Sequence, residues 1–261
     1  MEISFYKYQG TGNDFILIDN RDFHFPSSDY NFIQKLCHRQ FGIGADGLML
    51  LEESNCADFK MIYYNADGKI GSMCGNGGRC IVAFAEKLGI VNGKTSFEAP
   101  DGLHQATIKN NWVTLEISDV EQIEKHNGDV FLNTGSPHHV CFKTDVEETD
   151  VYHEGKKIRF GAPYHEVGAN VNFVQIIGEN ELKVRTYERG VENETLSCGT
   201  GVTASAIAAA HLNHTTQLPI KIQTLGGNLE INFSQNKDQT KFENITLSGP
   251  ATFVFQGVFP F

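Results

Sequence analysis

Two four-residue stretches, Cys74-Gly75-Asn76-Gly77 and Cys198-Gly199-Thr200-Gly201, share the form Cys-Gly-polar-Gly and lie 124 positions apart in a chain of 261 residues. Each opens a helical pattern. After the first, apolar Ile81, Phe84, Ala85 and Leu88 recur at helical spacing, and Gly89 is placed to stop the helix. After the second, Val202 to Ala210 is small and apolar nearly all round, as expected of a helix buried on every side. A Gly-containing turn follows each pattern, at Gly102 in one case and Gly226-Gly227 in the other. Self-similarity at about half the chain length predicts two pseudo-equivalent halves, each a sheet around one central helix.

The rest of the chain consists mostly of short strands. Phe15 to Ile18, Phe59 to Tyr64, Trp112 to Ile117, Asn172 to Ile177, Leu182 to Tyr187 and Leu229 to Phe233 are aromatic and β-branched runs bounded by turn residues. Regular alternation of strand and helix is missing, which argues against a doubly wound parallel sheet. The expected class is α+β, with two pseudo-symmetric halves, each a curved, mostly antiparallel sheet wrapped around a central helix. Residues 1–118 would form the half carrying Cys74 and residues 119–249 the half carrying Cys198, with the acidic, turn-rich stretch Ser118 to Asp129 as the crossing point.

Composition narrows the function. Apolar residues make up 40% of the chain and charged residues 20%, enough for a sizeable core. Acidic residues outnumber basic ones, 32 against 21, and no block of lysines and arginines interrupts the net charge of −11. A nucleic-acid or membrane partner is therefore not expected. The start, Met1 to Lys7, lacks the basic and apolar segments of a secretory signal, and no uncharged apolar run approaches the ~20 residues that cross a bilayer. The expectation is a soluble, cytoplasmic protein. Its six cysteines include no Cys-x-x-Cys pair, and Cys37, Cys56, Cys80 and Cys141 are assigned to packing as reduced thiols. Gly199 to Ala204 fits a dinucleotide-binding pattern, but a polar segment precedes it where a buried strand belongs. His138-His139 reads as a pair of loop histidines, and no metal is assigned to it.

Cys74 and Cys198 invite a different reading. A helix N-terminus presents N–H groups and about half a positive charge, which favours a thiolate and attracts a carboxylate. Glycine beside each cysteine leaves the backbone bare for a ligand to approach. If the halves face one another, two such thiols converge on one ligand. Inverting a stereocentre next to a carboxylate requires removing a proton from one face and delivering one to the other. A thiolate and a thiol can exchange those roles, and two helix N-termini would stabilise the charge that develops on the carboxylate. The pattern therefore predicts an amino-acid racemase or epimerase that uses no cofactor and no metal.

The motifs as a set resemble the diaminopimelate epimerase family of cofactor-independent, two-cysteine racemases and epimerases. They are Gly10-Thr11-Gly12-Asn13-Asp14-Phe15, Gly42-Ile43-Gly44-Ala45-Asp46-Gly47, Tyr64-Asn65-Ala66-Asp67-Gly68, Met73 to Cys80, Gly135-Ser136-Pro137-His138, Gly168-Ala169-Asn170, Glu188-Arg189-Gly190 and Ser197 to Gly201. The resemblance implies that LL-diaminopimelate and its meso form are the substrate pair and that Cys74 and Cys198 are the acid–base thiols. Gly75 and Asn76, with Gly199 and Thr200, would hold the reacting carboxylate, and Asn13 would lie beside the reacting centre. His138 with Glu188 would orient substrate or tune the thiols. Asn65, Asn170 and Arg189, with Glu188, would grip the distal amino-acid end. The resemblance also implies a site in the cleft between the halves and a C-terminal segment, 250–261, that returns to the first half. It leaves a homodimer open, since relatives often form one.

Some positions depart from the family pattern. The segment Val191 to Ser197 is one residue longer than the usual spacing between Glu188 and Cys198, Ser136 stands where many members carry asparagine, and Gly47 where some carry glutamine. The alternatives are a same-fold racemase acting on another amino acid, a thiol redox protein, and an amino-acid binding protein that would not need the thiols.

Overall fold

The computed structural model describes residues 2–126, 128–236 and 241–260. The chain forms two compact units, Met1–Leu115 with Gly249–Phe261, and Glu116–Ser248. The first contains β1 (Glu2–Gly10), β2 (Asn13–Asp19), α1 (Tyr30–Cys37), β3 (Gly47–Glu52), β4 (Phe59–Asn65), α2 (Gly75–Lys87), β5 (Lys94–Ala99), β6 (Gly102–Lys109) and β7 (Trp112–Ile117). The second contains β8 (Ile123–His126), β9 (Asp129–Asn133), β10 (Pro137–Phe142), α3 (Val151–Phe160), β11 (Asn170–Gly178), β12 (Glu181–Glu188), β13 (Asn193–Thr195), α4 (Gly199–His211), β14 (Ile220–Thr224), β15 (Gly227–Gln235) and β16 (Phe242–Pro250). The last strand, β17 (Thr252–Pro260), completes the first unit by pairing antiparallel with β1.

Each unit repeats one pairing scheme. In the first, β1–β2 is antiparallel, β2–β3 parallel, β3–β4 antiparallel, β4–β5 parallel, and β5–β6 and β6–β7 antiparallel. In the second, β9–β10 is antiparallel, β10–β11 parallel, β11–β12 antiparallel, β12–β14 parallel, and β14–β15 and β15–β16 antiparallel. The outer strand of the first unit is β17, paired with β1, and that of the second is β8, paired with β9. The pseudo-symmetry predicted from the two cysteine motifs is therefore present in this pairing scheme, to which the second unit adds the short strand β13.

Parallel neighbours cannot be joined by a tight turn, so each needs a crossover, usually helical. Helices α2 and α4 carry the second crossover of each unit, and α1 and α3 carry the first. The sequence reading had one helix per half, and α1 and α3 correct it. They are short and amphipathic and cover the sheet from outside. Their start signals are Asp29, which accepts the N–H of Phe32, and Asp150, which accepts that of His153.

Helix α4 lies at the centre of its unit, in contact with β9, β10, β11, β12, β14 and β15. Every residue from Gly201 to Ala210 is buried, because strands lie on all sides. Its two buried hydroxyls stay within the helix, Thr203 donating to the Gly199 carbonyl at 2.9 Å and Ser205 to that of Gly201 at 2.8 Å. Helix α2 is buried from Gly75 to Ala85 and packs on β1, β2, β3, β6 and β17. Each sheet thus holds one helix in its interior with the helix N-terminus at a fixed place. Among the described residues no helix is long and apolar enough to cross a membrane.

Candidate active site

In the first unit, Cys74 is the N-cap of α2, with extended backbone (φ −115°, ψ 152°), and its sulfur accepts the Gly77 N–H at 3.3 Å. A Cβ at Gly77 would lie 3.3 Å from that sulfur and 3.4 Å from the Met49 sulfur, so the glycine makes room for the thiol. Helix geometry directs the N–H groups of Gly75 and Asn76 out of the end of the helix beside it. The Asn76 side chain is buried. Its Oδ1 accepts from Arg79 Nη2 at 3.0 Å and from Thr11 Oγ1 at 3.3 Å. Its Nδ2 donates to Asn13 Oδ1 at 3.5 Å, and Asn13 Nδ2 donates to Asp46 Oδ2 at 2.6 Å.

Behind Asn13 stands a charged network. Arg39 Nη2 bonds Asp46 at 2.7 Å and Asp14 at 2.8 Å, and Lys7 pairs with Asp14 at 2.7 Å. Burial pushes the Asp14 carboxyl up, but hydrogen bonds from Arg39 and Lys7 outweigh it and hold the group below the usual carboxylate range. Asn65 lies outside this network. It is exposed at the end of β4, with its Oδ1 only 2.9 Å from where a Gly71 Cβ would sit.

Cys198 occupies the equivalent place in the second unit, as N-cap of α4 with extended backbone (φ −117°, ψ 112°). Its sulfur turns to Thr200 Oγ1 at 3.4 Å. Thr134, in the β9–β10 turn, donates to the Thr200 carbonyl at 2.9 Å and ties that turn to the helix start. Asn170 spends its amide on positioning: Nδ2 donates to Ser136 Oγ at 2.9 Å and the Pro137 carbonyl at 3.1 Å, while Oδ1 accepts the Arg189 N–H at 2.9 Å. The Arg189 guanidinium reaches the Val167 carbonyl at 3.0 Å, and Glu188 Oε2 accepts from Thr195 at 2.9 Å. The segment that is one residue longer than the usual spacing contains the turn of the β12–β13 hairpin. Glu188 faces Asn193 across it, and Gly190 (φ 95°) and Glu192 (φ 57°) take left-handed backbone in the turn.

His138 is fully buried in β10, and its Nδ1 lies 3.1 Å from Asn172 Nδ2. Burial, helped by the charge of Arg189, lowers its pKa from 6.5 to about 3. Between those values the unfolded chain binds a proton that the folded chain does not, so stability rises with pH across that window. Acidification below pH 6.5 should therefore cost up to about 1.4 kcal/mol per pH unit through this residue. The expected result is that chemical denaturation of His138→Gln shows a shallower loss of stability than the unsubstituted protein between about pH 6 and pH 4. Parallel curves would mean that His138 is not buried neutral.

Of the remaining cysteines, Cys37, Cys80 and Cys141 are buried packing residues, whereas Cys56, assigned to packing from the sequence, lies at the surface and corrects that reading. Burial pushes the Cys37 thiol up to about 12 and raises those of Cys80 and Cys141 as well, while Cys56 is exposed. Among the described residues, Asp129, His139 and Cys141 form the one group with metal-ligand spacing. Both ring nitrogens of His139 are already engaged, Nδ1 by Tyr164 Oη at 2.7 Å and Nε2 by Asp129 at 3.0 Å, which accounts for the cluster as a hydrogen-bonded chain.

Sequence reasoning assigned no role to Asp46, Arg39, Arg79 or Asn172. Asp46 and Arg79 lie inside quoted motifs, and Asn172 follows one by two positions, so motif membership was the available signal. Arg39 has no such marker.

The sequence model of the family described as diaminopimelate epimerase matches residues 5–122 and 130–254. A diaminopimelate epimerase of Flavobacterium psychrophilum is 55% identical over 252 residues, covering 96% of this chain and 98% of that one. One from Aquifex aeolicus is 40% identical, covering 98% and 97%. Among solved structures, a phenazine biosynthesis protein of the PhzF family from Bacillus anthracis superposes with a TM-score of 0.80 at 12% identity, covering all of both chains. A probable proline racemase from Agrobacterium radiobacter K84 gives a TM-score of 0.67 at 14% identity, covering 98% of this chain and 92% of that one. At such identities these two likenesses concern the fold.

Proposed function

Because this chain belongs to the diaminopimelate epimerase family, we propose that Cys74 and Cys198 are the acid–base pair with which it interconverts LL- and meso-diaminopimelate. The observation that carries this reading is their equivalence. Two thiols occupy the N-cap of the interior helix in two units built on one pairing scheme, and each is followed by a buried glycine. A thiolate on one side removes the α-proton and a thiol on the other delivers one, with the roles reversed in the opposite direction. The first-turn N–H groups at Gly75 and Asn76, and at Gly199 and Thr200, serve the substrate carboxylate, where negative charge builds as the proton leaves.

The other residues divide by task. Asn13, held by Asp46 and Asn76, stands beside the reacting centre. The Arg189 fork, with Glu188, Asn170 and Asn65, takes the distal amino acid, where a guanidinium suits a carboxylate and a carboxylate or amide suits an ammonium. Asn170 acts in large part by fixing the Arg189 backbone.

The test is α-proton exchange in deuterated water under reducing conditions with no cofactor added, read by NMR on LL-diaminopimelate and a panel of other amino acids. Deuterium entry with inversion at one centre of diaminopimelate alone is the expected result. Exchange on a different amino acid would replace the substrate but keep the thiol pair, and no exchange on any of them would end the reading.

A further inference from the structure

Helix α4 and strands β10 to β12 enclose a polar cluster that the acid–base chemistry does not by itself explain. Asn172, fully buried on β11, touches four groups. Its Nδ2 lies 3.1 Å from His138 Nδ1 and donates to the His139 carbonyl at 3.2 Å. Its Oδ1 accepts from Thr186 Oγ1 at 3.0 Å and lies 2.4 Å from where a Gly201 Cβ would be. That same Cβ would meet Cys198 Cβ at 3.3 Å, so Asn172, Gly201 and Cys198 pack as one group at the start of α4.

The orientation of the amide follows from its partners. A backbone carbonyl can only accept, so the amide atom facing His139 must be the NH₂. That same NH₂ faces His138 Nδ1, which must therefore be the unprotonated, accepting nitrogen. The ring proton is left on Nε2. This atom is buried and has no hydrogen-bond partner among the described residues. A desolvated N–H without an acceptor is costly, and an anionic acceptor arriving during the reaction would remove that cost. A second proton on the ring would place an N–H against the NH₂ of Asn172. Arg189 is the charged group acting on the ring, and it too opposes protonation.

We propose that Asn172 is a positioning residue that locks His138 in the neutral Nε2–H form, making His138 a fixed hydrogen-bond donor to an anion at the start of α4 and not a proton carrier. The inference rests on the reading of Cys198 as an acid–base thiol only for the identity of that anion. Two sources share the chemistry: the Cys198 thiolate and the substrate carboxylate. Thr186 completes the device by holding the amide the right way round. Gly201 is required because any side chain there would displace the Asn172 oxygen.

The experiment is long-range ¹H–¹⁵N NMR of the full chain labelled with ¹⁵N-histidine, with His138→Gln used to assign the His138 signals. In the resting protein His138 should show an unprotonated Nδ1 and a protonated Nε2, unchanged between about pH 5 and pH 9, where an ordinary histidine titrates. Asn172→Asp replaces the NH₂ donor with an acceptor. Its ring should gain a proton on Nδ1, and kcat/KM should fall about tenfold or more, as when a catalytic histidine loses its tautomer. Thr186→Val, a milder change, should give a mixture of the two forms.

A shift of the Nε2–H signal in Cys198→Ala without substrate identifies the thiolate as acceptor, and a shift only on adding meso-diaminopimelate identifies the carboxylate. An Nδ1–H tautomer or a titrating ring in the unsubstituted protein overturns the lock. A ring indifferent to both the Cys198 change and substrate overturns the donor role. The tautomer is read in the resting protein, so its failure is separate from any failure of α-deuterium exchange.

Discussion

Cys74→Ala should lose inversion at the α-carbon, with kcat/KM falling by about 10⁴-fold, the upper end of what a positioned proton-transfer group contributes. Loss of folding would not account for such a fall. The thiol also caps α2 by accepting the Gly77 N–H, but removing a cap costs only ~0.5–2 kcal/mol of stability. Cys74→Ser separates the two roles. Serine is a good N-cap and should restore stability, yet its hydroxyl is far too weak an acid to supply a thiolate, so activity should stay lost. In deuterated water, Cys198 alone should still wash deuterium into the isomer whose α-proton it faces, with configuration retained. The measurement is NMR of deuterium entry and product configuration beside thermal denaturation of both variants. An alanine variant that inverts its substrate at a tenth of the normal rate would remove Cys74 from the reaction.

The largest loss of stability is expected at Arg79, a fully buried arginine one turn along α2 from Cys74. Its guanidinium donates to the carbonyls of Gly75 at 3.2 Å and Pro250 at 3.3 Å, to Asn76 Oδ1 at 3.0 Å and to Thr11 Oγ1 at 3.2 Å. Burial lowers its pKa to about 10, which leaves it a cation at neutral pH. Arg79→Met keeps the length and loses every donor, so the backbone carbonyls of Gly75 and Pro250 lose the guanidinium in a dry interior, while Asn76 Oδ1 keeps only the Thr11 hydroxyl. The expected cost is about 3–5 kcal/mol, seen as a melting temperature lower by roughly 10 °C. Unlike a buried ion pair, which apolar residues can replace as a whole, these acceptors belong to the backbone and stay behind. A variant melting within 2 °C of the parent would show that water reaches them. Asn76 and, through it, Asn13 depend on the same guanidinium, so substrate affinity should weaken along with stability.

What could be seen from the residues alone was what two periodicities and two motifs can carry. The interior helices α2 and α4 were legible because each follows a cysteine–glycine motif, and α4 is apolar all round. The strands were legible as β-branched and aromatic runs. Helices α1 and α3 were not, because their burial is one-sided and their length is eight and ten residues. Yet both fill the first parallel crossover of a repeat that had already been recognised. Carrying the repeat through to the level of pairing would have required a helix in each place.

At the candidate site, residue types with an obvious chemistry stood out and the residues that orient them did not. Asp46, Arg39 and Asn172 act through Asn13, Asp14 and His138, which lie 33, 25 and 34 positions away in sequence, and such pairings exist only once the strands are in register. Asn170 shows the reverse case. Its motif marks it for substrate, while its amide is engaged with Ser136, Pro137 and Arg189.

The pairing of β1 with β17 sets an order of manufacture. Residues 116–248 form one uninterrupted stretch, so that unit can close soon after its last strand leaves the ribosome. The first unit cannot. Its strand β1 is synthesised ahead of the other described strands, but the partner that covers its edge, Thr252 to Pro260, is synthesised after all of them. At ~5–20 residues per second, the interval from the end of β7 to the end of β17 is roughly 7–30 s. Throughout it, one edge of β1 is unpaired and able to accept a strand from another nascent chain. The unit that is begun first is finished second, and Cys74 is the later of the two thiols to acquire its surroundings.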